Sequence, residues 1–212
     1  MRYVIVNGSP KSGRANSDSI IDFYMENLEE NDVIRLKWNN SNPSMEDFEA
    51  IKNCENLLFV FPLYIDTVPS QFLRCLLSLE DYLKENQPDK PIKVFTIINN
   101  GYFDARENVL GLEIIRNWCD HVDAIFGGGL AIGAGALMCS LKGTPLEKRF
   151  IGRPIRAIDE LYLESLLDKP RGIIKMTTPQ ISWGFYKFLA EASWRIRMRE
   201  NGLSNKDLHR KL

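Results

Sequence analysis

VIVNGSPKSGRANS, residues 4–17, is the segment from which the architecture of the chain can be inferred. It starts as a short apolar strand, continues as a polar turn, and leads into residues 20–28, where apolar side chains repeat at helical spacing. A turn between a strand and a helix directs backbone N–H groups and the positive end of the helix dipole at one point. The segment therefore suits a phosphate. Serine and asparagine are also preferred N-caps, so a capped helix after a loop is an equal alternative.

The turn matches neither of two familiar nucleotide-binding motifs. It lacks the G-x-G-x-x-G spacing of dinucleotide-binding folds and the G-x-x-x-x-G-K-[ST] spacing of nucleoside triphosphate-binding loops. It does contain hydroxyl groups and cations, at Ser9, Ser12, Ser17, Lys11 and Arg14. We therefore expect hydroxyl and backbone N–H groups, with a nearby cation, to form any phosphate site here.

Strand-like and helix-like patterns alternate along the rest of the chain. Strands are predicted at residues 33–38, 57–61, 94–98 and 122–126. The last strand is expected to lead into a glycine-rich loop and then a helix at about residues 145–167. This alternation predicts one α/β domain over residues 1–170, with a parallel sheet covered by helices on both faces. Ligands of such sheets bind at the carboxyl ends of the strands, where the turns after the first, third and fourth strands would meet.

The turns after the third and fourth strands carry tyrosine and amide side chains. They read PLYI at residues 62–65 and NNGY at residues 99–102. Together with the first turn, they suit a ligand with a phosphate, a polyhydroxy middle and a flat ring that tyrosine can cover. Riboflavin 5′-phosphate (FMN) has all three parts.

The three turns resemble those of the flavodoxin-like NAD(P)H-dependent FMN reductases and quinone reductases. The resemblance covers about residues 1–170 and is carried by NGSPK at residues 7–11 with Asn16 and Ser17, PLYID at residues 62–66 with Pro69, and NNGYF at residues 99–103. It implies a doubly wound, five-stranded parallel sheet in the order 2-1-3-4-5 with bound FMN.

The resemblance also implies roles for individual residues. The phosphate ligands would be Ser9, Asn16 and Ser17, with Lys11 near the phosphate or its mouth. The segment flanking the ring, with backbone N–H groups near its pyrimidine and N5 edge, would be Pro62, Leu63, Tyr64 and Ile65. The third contact loop would be Asn99, Asn100, Gly101 and Tyr102. Ala15 stands where relatives often have a hydroxyl residue, which leaves open whether Arg14 replaces that contact.

The activity implied by the resemblance is that of an oxidoreductase. It would take hydride from NADH or NADPH through FMN and pass it to a small-molecule acceptor such as a flavin, a quinone or a nitro compound. Flavin N5 would carry the chemistry, so no catalytic side chain is expected. The main alternative is a flavodoxin-type electron carrier, and further ones are an iron–sulfur flavoprotein and a scaffold that has lost its flavin. The four cysteines are dispersed with no C-x-x-C pair, so we expect no metal site.

Charge divides the chain into two parts. Residues 1–170 carry a net charge of −7, whereas residues 171–212 carry +6 and contain an amphipathic segment. We predict a basic helical extension over residues 171–212. It would dock on the acidic body, serve as the arm of a dimer, or contact an anionic membrane. We expect the protein to form a homodimer.

One uncharged run, residues 124–141, raises the question of a membrane span. It contains five glycines, each of which costs about 1 kcal/mol in a helix relative to alanine, so we expect no transmembrane segment. Scattered free thiols, and a first strand without a preceding signal-like region, predict a cytoplasmic protein. We expect no nucleic-acid partner.

Overall fold

The strands form a single parallel sheet in the computed structural model, which describes residues 1–28, 32–204 and 207. The sheet has six strands in the order β2-β1-β3-β4-β5-β6, and every neighbouring pair is parallel. The strands are β1 (Arg2–Asn7), β2 (Asp32–Lys37), β3 (Asn56–Pro62), β4 (Lys93–Asn99), β5 (Ile125–Ile132) and β6 (Ile173–Thr177). The predicted order of the first five strands is confirmed.

Helices cover both faces of the sheet. The helices are α1 (Asn16–Met25), α2 (Met45–Lys52), α3 (Ser70–Glu85), a 3-10 helix (Ala105–Asn108), α4 (Val109–His121), α5 (Gly135–Leu141), α6 (Glu147–Ser165) and α7 (Trp183–Glu200). Alternate residues of β1 face opposite sides: Val4 and Val6 pack in the core with α2, α3 and α4, whereas Tyr3 and Ile5 pack with α1, α5 and α6. A strand buried on both faces needs a continuous apolar run. This explains why β1, β3 and β4 could be recognised in the sequence.

The glycine-rich segment lies within the sheet, which corrects the predicted loop. The fifth strand was expected to end at residue 126, but β5 continues to Ile132 and includes Gly127–Gly129. A Cβ on Gly127 would lie 2.4 Å from the ring of Phe95, and one on Gly129 would lie 2.8 Å from Leu112. Gly127 and Gly129 have no room for a side chain, because Phe95 of β4 and Leu112 of α4 occupy the positions that a Cβ would need.

A sixth strand extends the predicted five-stranded sheet. Residues 173–177 were expected in the helical extension, but they pair with β5 from Gly128↔Ile173 to Ile132↔Thr177. This pairing satisfies backbone groups that β5 would otherwise leave open at the edge. The chain then divides into two compact units, residues 1–179 and 180–212, and α7 belongs to the second.

Within the described ranges, no helix combines the length and the apolar composition needed to cross a membrane.

Candidate functional site

The first turn is held in place by β3 and by the side chains of Asn7 and Asp18, which the predicted site did not include. The N–H of Gly8 donates to the carbonyl of Val60 at 2.9 Å. The Asn7 side chain accepts from the N–H of Ser9 at 2.9 Å and donates to Asp18 at 2.7 Å. Asn7 therefore links the start of the turn to the first turn of α1.

Lys37 and Asp18 hold the second half of the same turn. The Asp18 carboxylate accepts from the N–H of Ala15 at 2.7 Å, and Lys37 Nζ lies 3.8 Å from it. Lys37 Nζ also donates to the carbonyl of Gly13 at 2.8 Å. An acidic residue in the first turn of a helix is visible in the sequence, but the contribution of Lys37 from the end of β2 is not.

Arg14 does not replace the hydroxyl group that is missing at Ala15. Its guanidinium donates to the Asp22 carboxylate at 2.6 Å, on the exposed side of α1. The N–H of Ala15 is itself bound by Asp18. Any phosphate in this turn would therefore be held by other groups.

A cavity of 120 Å³ brings residues from all three predicted turns together. It is lined by Ser9, Lys11, Ala15, Asn16, Ser17, Pro62, Tyr64 and Asn99. We call it the phosphate cavity, because α1 begins beside it and the first N–H groups of a helix have no partner inside the helix. Its volume is below the roughly 300–1,000 Å³ of complete small-molecule sites, so it has room for one end of a flavin.

Buried hydroxyl and amide groups form the inner wall of the phosphate cavity. Ser9 is 3% exposed and Ser17 is 1% exposed. Asn99 donates to Ser17 Oγ at 3.3 Å and to the carbonyl of Phe61 at 3.2 Å, which ties the third turn to the first. Lys11 is exposed at the mouth. This donor set fits a dianion, because the nearby Asp18 carboxylate is paired with Lys37 at 3.8 Å and bound by Asn7 and Ala15.

Five predicted residues do not line the phosphate cavity: Leu63, Ile65, Asn100, Gly101 and Tyr102. Leu63 packs against the core instead. Asn100 is buried, and its side chain donates to the carbonyl of Asp104 at 3.0 Å, so it supports the third turn from within. Tyr64 and Tyr102 are 48% and 56% exposed, and their rings are available to a ligand that extends out of the cavity.

The backbone of the second turn is largely paired within the protein. The N–H of Leu63 donates to the carbonyl of Asn99 at 2.8 Å, and Pro62 has no N–H group. Tyr64 and Thr67 exchange two backbone hydrogen bonds, with N···O distances of 3.0 and 3.1 Å. The backbone contacts implied for this segment would therefore come from the tip of the turn.

That tip has an unusual backbone conformation. Ile65 and Asp66 have φ angles of 48° and 57°, the left-handed pair of a two-residue type I′ turn. This conformation favours asparagine or glycine and is costly for a β-branched residue.

Replacing Ile65 with glycine should stabilise the protein by about 1 kcal/mol. The left-handed conformation costs a β-branched residue about 1–3 kcal/mol, and glycine returns part of that gain through its greater freedom in the unfolded chain. No packing is lost, because Ile65 is 94% exposed. Urea denaturation measures the effect, with Ile65→Val as a control that keeps the strain. A lower stability for Ile65→Gly than for Ile65→Val would contradict the strained turn.

Two further cavities, of 130 and 510 Å³, lie at the amino ends of the strands. The first contains Trp118 and His121, and the second contains Lys93 and Asp168. Parallel sheets bind ligands at the opposite edge, so we assign the functional site to the phosphate cavity.

The four thiols are not suited to act as nucleophiles at neutral pH. Burial raises the pKa of Cys54 and Cys119 to about 12 and the pKa of Cys75 and Cys139 to about 11. All four thiols are therefore protonated at neutral pH. The described residues contain no group of three or more His, Cys, Asp or Glu that could hold a metal ion.

No protein-family model and no curated protein sequence matches the chain. Solved structures do. An NADH:FMN oxidoreductase in its apo form is similar with a TM-score of 0.55 and 14% identity, over 80% of this chain and 91% of that chain. An NADPH-quinone reductase from P. pentosaceus is similar with a TM-score of 0.51 and 12% identity, over 78% and 96% of the two chains. A flavodoxin, WrbA-like protein from Agrobacterium tumefaciens gives 0.50 and 13%, over 59% and 75%. At such low identities these likenesses establish the fold, and the protein has a flavodoxin-like fold.

Proposed function

We propose that the protein is an FMN-dependent oxidoreductase that takes hydride from NADH or NADPH and passes it to a small acceptor such as a flavin, a quinone or a nitro compound. The observation that carries the proposal is the phosphate cavity, where the first turn contributes buried hydroxyl groups, a helix N-terminus and a lysine, and two turns far away in the sequence add Tyr64 and Asn99. That combination suits a phosphate monoester next to a larger group.

The residues of the chain would divide the binding of FMN between them. Ser9 and Ser17 would donate hydroxyl hydrogen bonds to the phosphate, together with the N–H groups at the start of α1, and Lys11 would add charge at the mouth. Tyr64 and Tyr102 would cover the ring, and Asn99 would hold the inner wall. When bound, FMN supplies hydride transfer, so the protein needs no nucleophile or general base of its own.

The structural neighbours support this proposal at the level of the fold. Two of them are described as an NADH:FMN oxidoreductase and an NADPH-quinone reductase. Because one fold serves many functions, the residues of the cavity support the proposed activity more directly than the likeness does.

An electron carrier of the flavodoxin type is the second candidate. The net charge of −7 over residues 1–170 favours this candidate, because electron carriers of this type are strongly acidic and dock through a negatively charged face. The two candidates differ in whether a nicotinamide dinucleotide reduces the flavin directly.

An absorbance spectrum of the purified protein, taken before and after anaerobic addition of NADPH or NADH, tests both candidates. We expect a flavin spectrum that either dinucleotide bleaches rapidly. A flavin spectrum that persists with both dinucleotides, and a long-lived blue semiquinone with a chemical reductant, would favour the carrier. A colourless protein that does not take up added FMN would contradict both.

The homodimer, the role of the basic extension and the cytoplasmic location stay predictions. Light scattering on the purified protein measures its oligomeric state directly. A dimeric mass is the expected result.

A further inference from the structure

Lys37, the last residue of β2, binds the first turn from outside the phosphate cavity. Its Nζ donates to the carbonyls of Ser12 and Gly13 at 3.3 and 2.8 Å, and it lies 3.8 Å from the Asp18 carboxylate. All three partners carry negative charge or the negative end of a dipole. Lys37 does not line the phosphate cavity, so these contacts act on the turn itself.

The end of β2 fixes the place from which Lys37 acts. Its backbone lies opposite Asn7 of β1, and the N–H of the next residue, Trp38, donates to the carbonyl of Asn7 at 2.9 Å. Trp38 is 2% exposed, and its indole N–H donates to Asp47 at 2.9 Å. Because the strand end is anchored in this way, the lysine reaches the turn from a rigid element.

The middle of the first turn, residues 12–14, has few other contacts. Among the described residues, none of its three N–H groups has a hydrogen-bond partner, and Lys37 is the one group that binds its backbone. The segment connects Lys11 to Ala15, and both of these residues line the phosphate cavity. Its conformation therefore affects how the two halves of the cavity wall lie relative to each other.

The contacts of Lys37 also leave the turn with donors for a ligand. The lysine occupies two carbonyl groups and compensates the charge of the Asp18 carboxylate. In the part of the chain that the structure describes, the N–H groups of residues 12–14 stay uncommitted, as do those of Asn16 and Ser17 at the start of α1. An anion beside this turn would meet hydrogen-bond donors, whereas without the lysine it would also meet an uncompensated carboxylate.

Building on the proposed function, we propose that Lys37 is a positioning residue for the flavin phosphate, which keeps the first turn in the conformation and charge balance that bind a dianion. It would act through residues 12–14 and Asp18 and touch no part of the flavin. Such preorganisation raises affinity, because the turn need not be ordered when the ligand binds. Removing the lysine should therefore weaken the binding of FMN and spare that of riboflavin, the same molecule without the phosphate.

Titration of the flavin-free protein with FMN and with riboflavin, followed by flavin fluorescence, tests this role. Lys37→Met keeps the aliphatic part of the side chain and removes the ammonium group. We expect it to weaken FMN binding at least about tenfold, as for the loss of one hydrogen bond to a charged group. Its riboflavin binding should stay within about twofold of that of the unchanged protein, which also shows that the variant is folded.

Arg35→Met is the matched control, because it removes the same charge from the same strand. Arg35 lies two residues earlier, on the same side of β2 as Lys37, and the two side chains are 47% and 35% exposed. The Arg35 guanidinium donates to Asp22 of α1 at 3.4 Å, and none of its described contacts reaches residues 8–15. We expect the control to bind FMN within about twofold of the unchanged protein.

Amide order parameters of the flavin-free protein, measured by NMR, separate positioning from direct contact with the ligand. With Lys37 in place, the Gly13 N–H should have the value of a rigid backbone, about 0.85. In Lys37→Met it should fall below about 0.6, the range of flexible segments, whereas Arg35→Met should leave it unchanged.

Three results would overturn the role of Lys37: equal losses of FMN and riboflavin affinity in Lys37→Met, equal losses of FMN affinity in the two variants, or an unchanged order parameter at Gly13 in Lys37→Met. The same titrations separate this inference from the proposed function. An unchanged protein that binds neither flavin contradicts the proposed function. A protein that prefers FMN to riboflavin with or without Lys37 contradicts this inference alone.

Discussion

The double variant Ser9→Ala/Ser17→Ala should be purified without flavin. Both hydroxyl groups are buried in the wall of the phosphate cavity. A hydrogen bond to a charged group contributes about 1.5–3 kcal/mol, and nanomolar binding requires about 12 kcal/mol. Losing two such bonds would weaken FMN binding by a factor of about 10² to 10⁴. The ratio of flavin to protein absorbance after purification, followed by titration with FMN, measures the effect.

Ser12→Ala is the matched control for this experiment. Ser12 belongs to the same turn, but it is exposed and does not line the cavity. Its only described contact to a side chain runs through its carbonyl, which accepts from Lys37 and is kept in the variant. Full flavin content in the double variant would rule out the first turn as the phosphate site.

Gly133→Ala should destabilise the protein by about 3 kcal/mol, at the upper end of the range for overpacking. A Cβ at this position would lie 2.3 Å from the carbonyl oxygen of Phe103 and 3.0 Å from the backbone nitrogen of Ala105. Both neighbours are backbone atoms, so relief requires the whole third turn to move. Urea denaturation measures the loss.

Gly101→Ala provides the comparison for Gly133→Ala. A Cβ on Gly101 would meet no atom within 4 Å, although the residue lies in the same turn. We expect its stability to change by less than about 1 kcal/mol. Equal losses for the two variants would show that the close approach of Gly133 to the third turn does not limit stability.

The first four strands could be predicted from the sequence because each is defined by its own residues. The apolar runs of β1, β3 and β4 reflect burial on both faces, whereas β2, at the edge of the sheet, alternates apolar and charged residues. The extent of β5 was hidden because glycine carries no apolar signal. The need for glycine arises from Phe95, a residue of another strand.

The lining of the phosphate cavity could be predicted from the sequence where it depends on a local turn, but the contacts that hold it could not, because they depend on distant partners. The four residues to which the resemblance assigns contacts in the first turn line the phosphate cavity, whereas Ser12 and Arg14 of the same turn do not. The pairing of Arg14 with Asp22 and the support from Lys37 could not be read from spacing, because they depend on how α1 and β2 lie together.

The sixth strand decides where the chain can be shortened. Deletion after Asp168 would remove β6 and turn β5 into an outer strand with open N–H and C=O groups, a surface that invites pairing between molecules. Deletion after Pro179 keeps all six strands and removes only the second compact unit. The contribution of residues 180–212 can therefore be measured in a protein whose sheet is intact, without confusing their role with exposure of a glycine-rich edge.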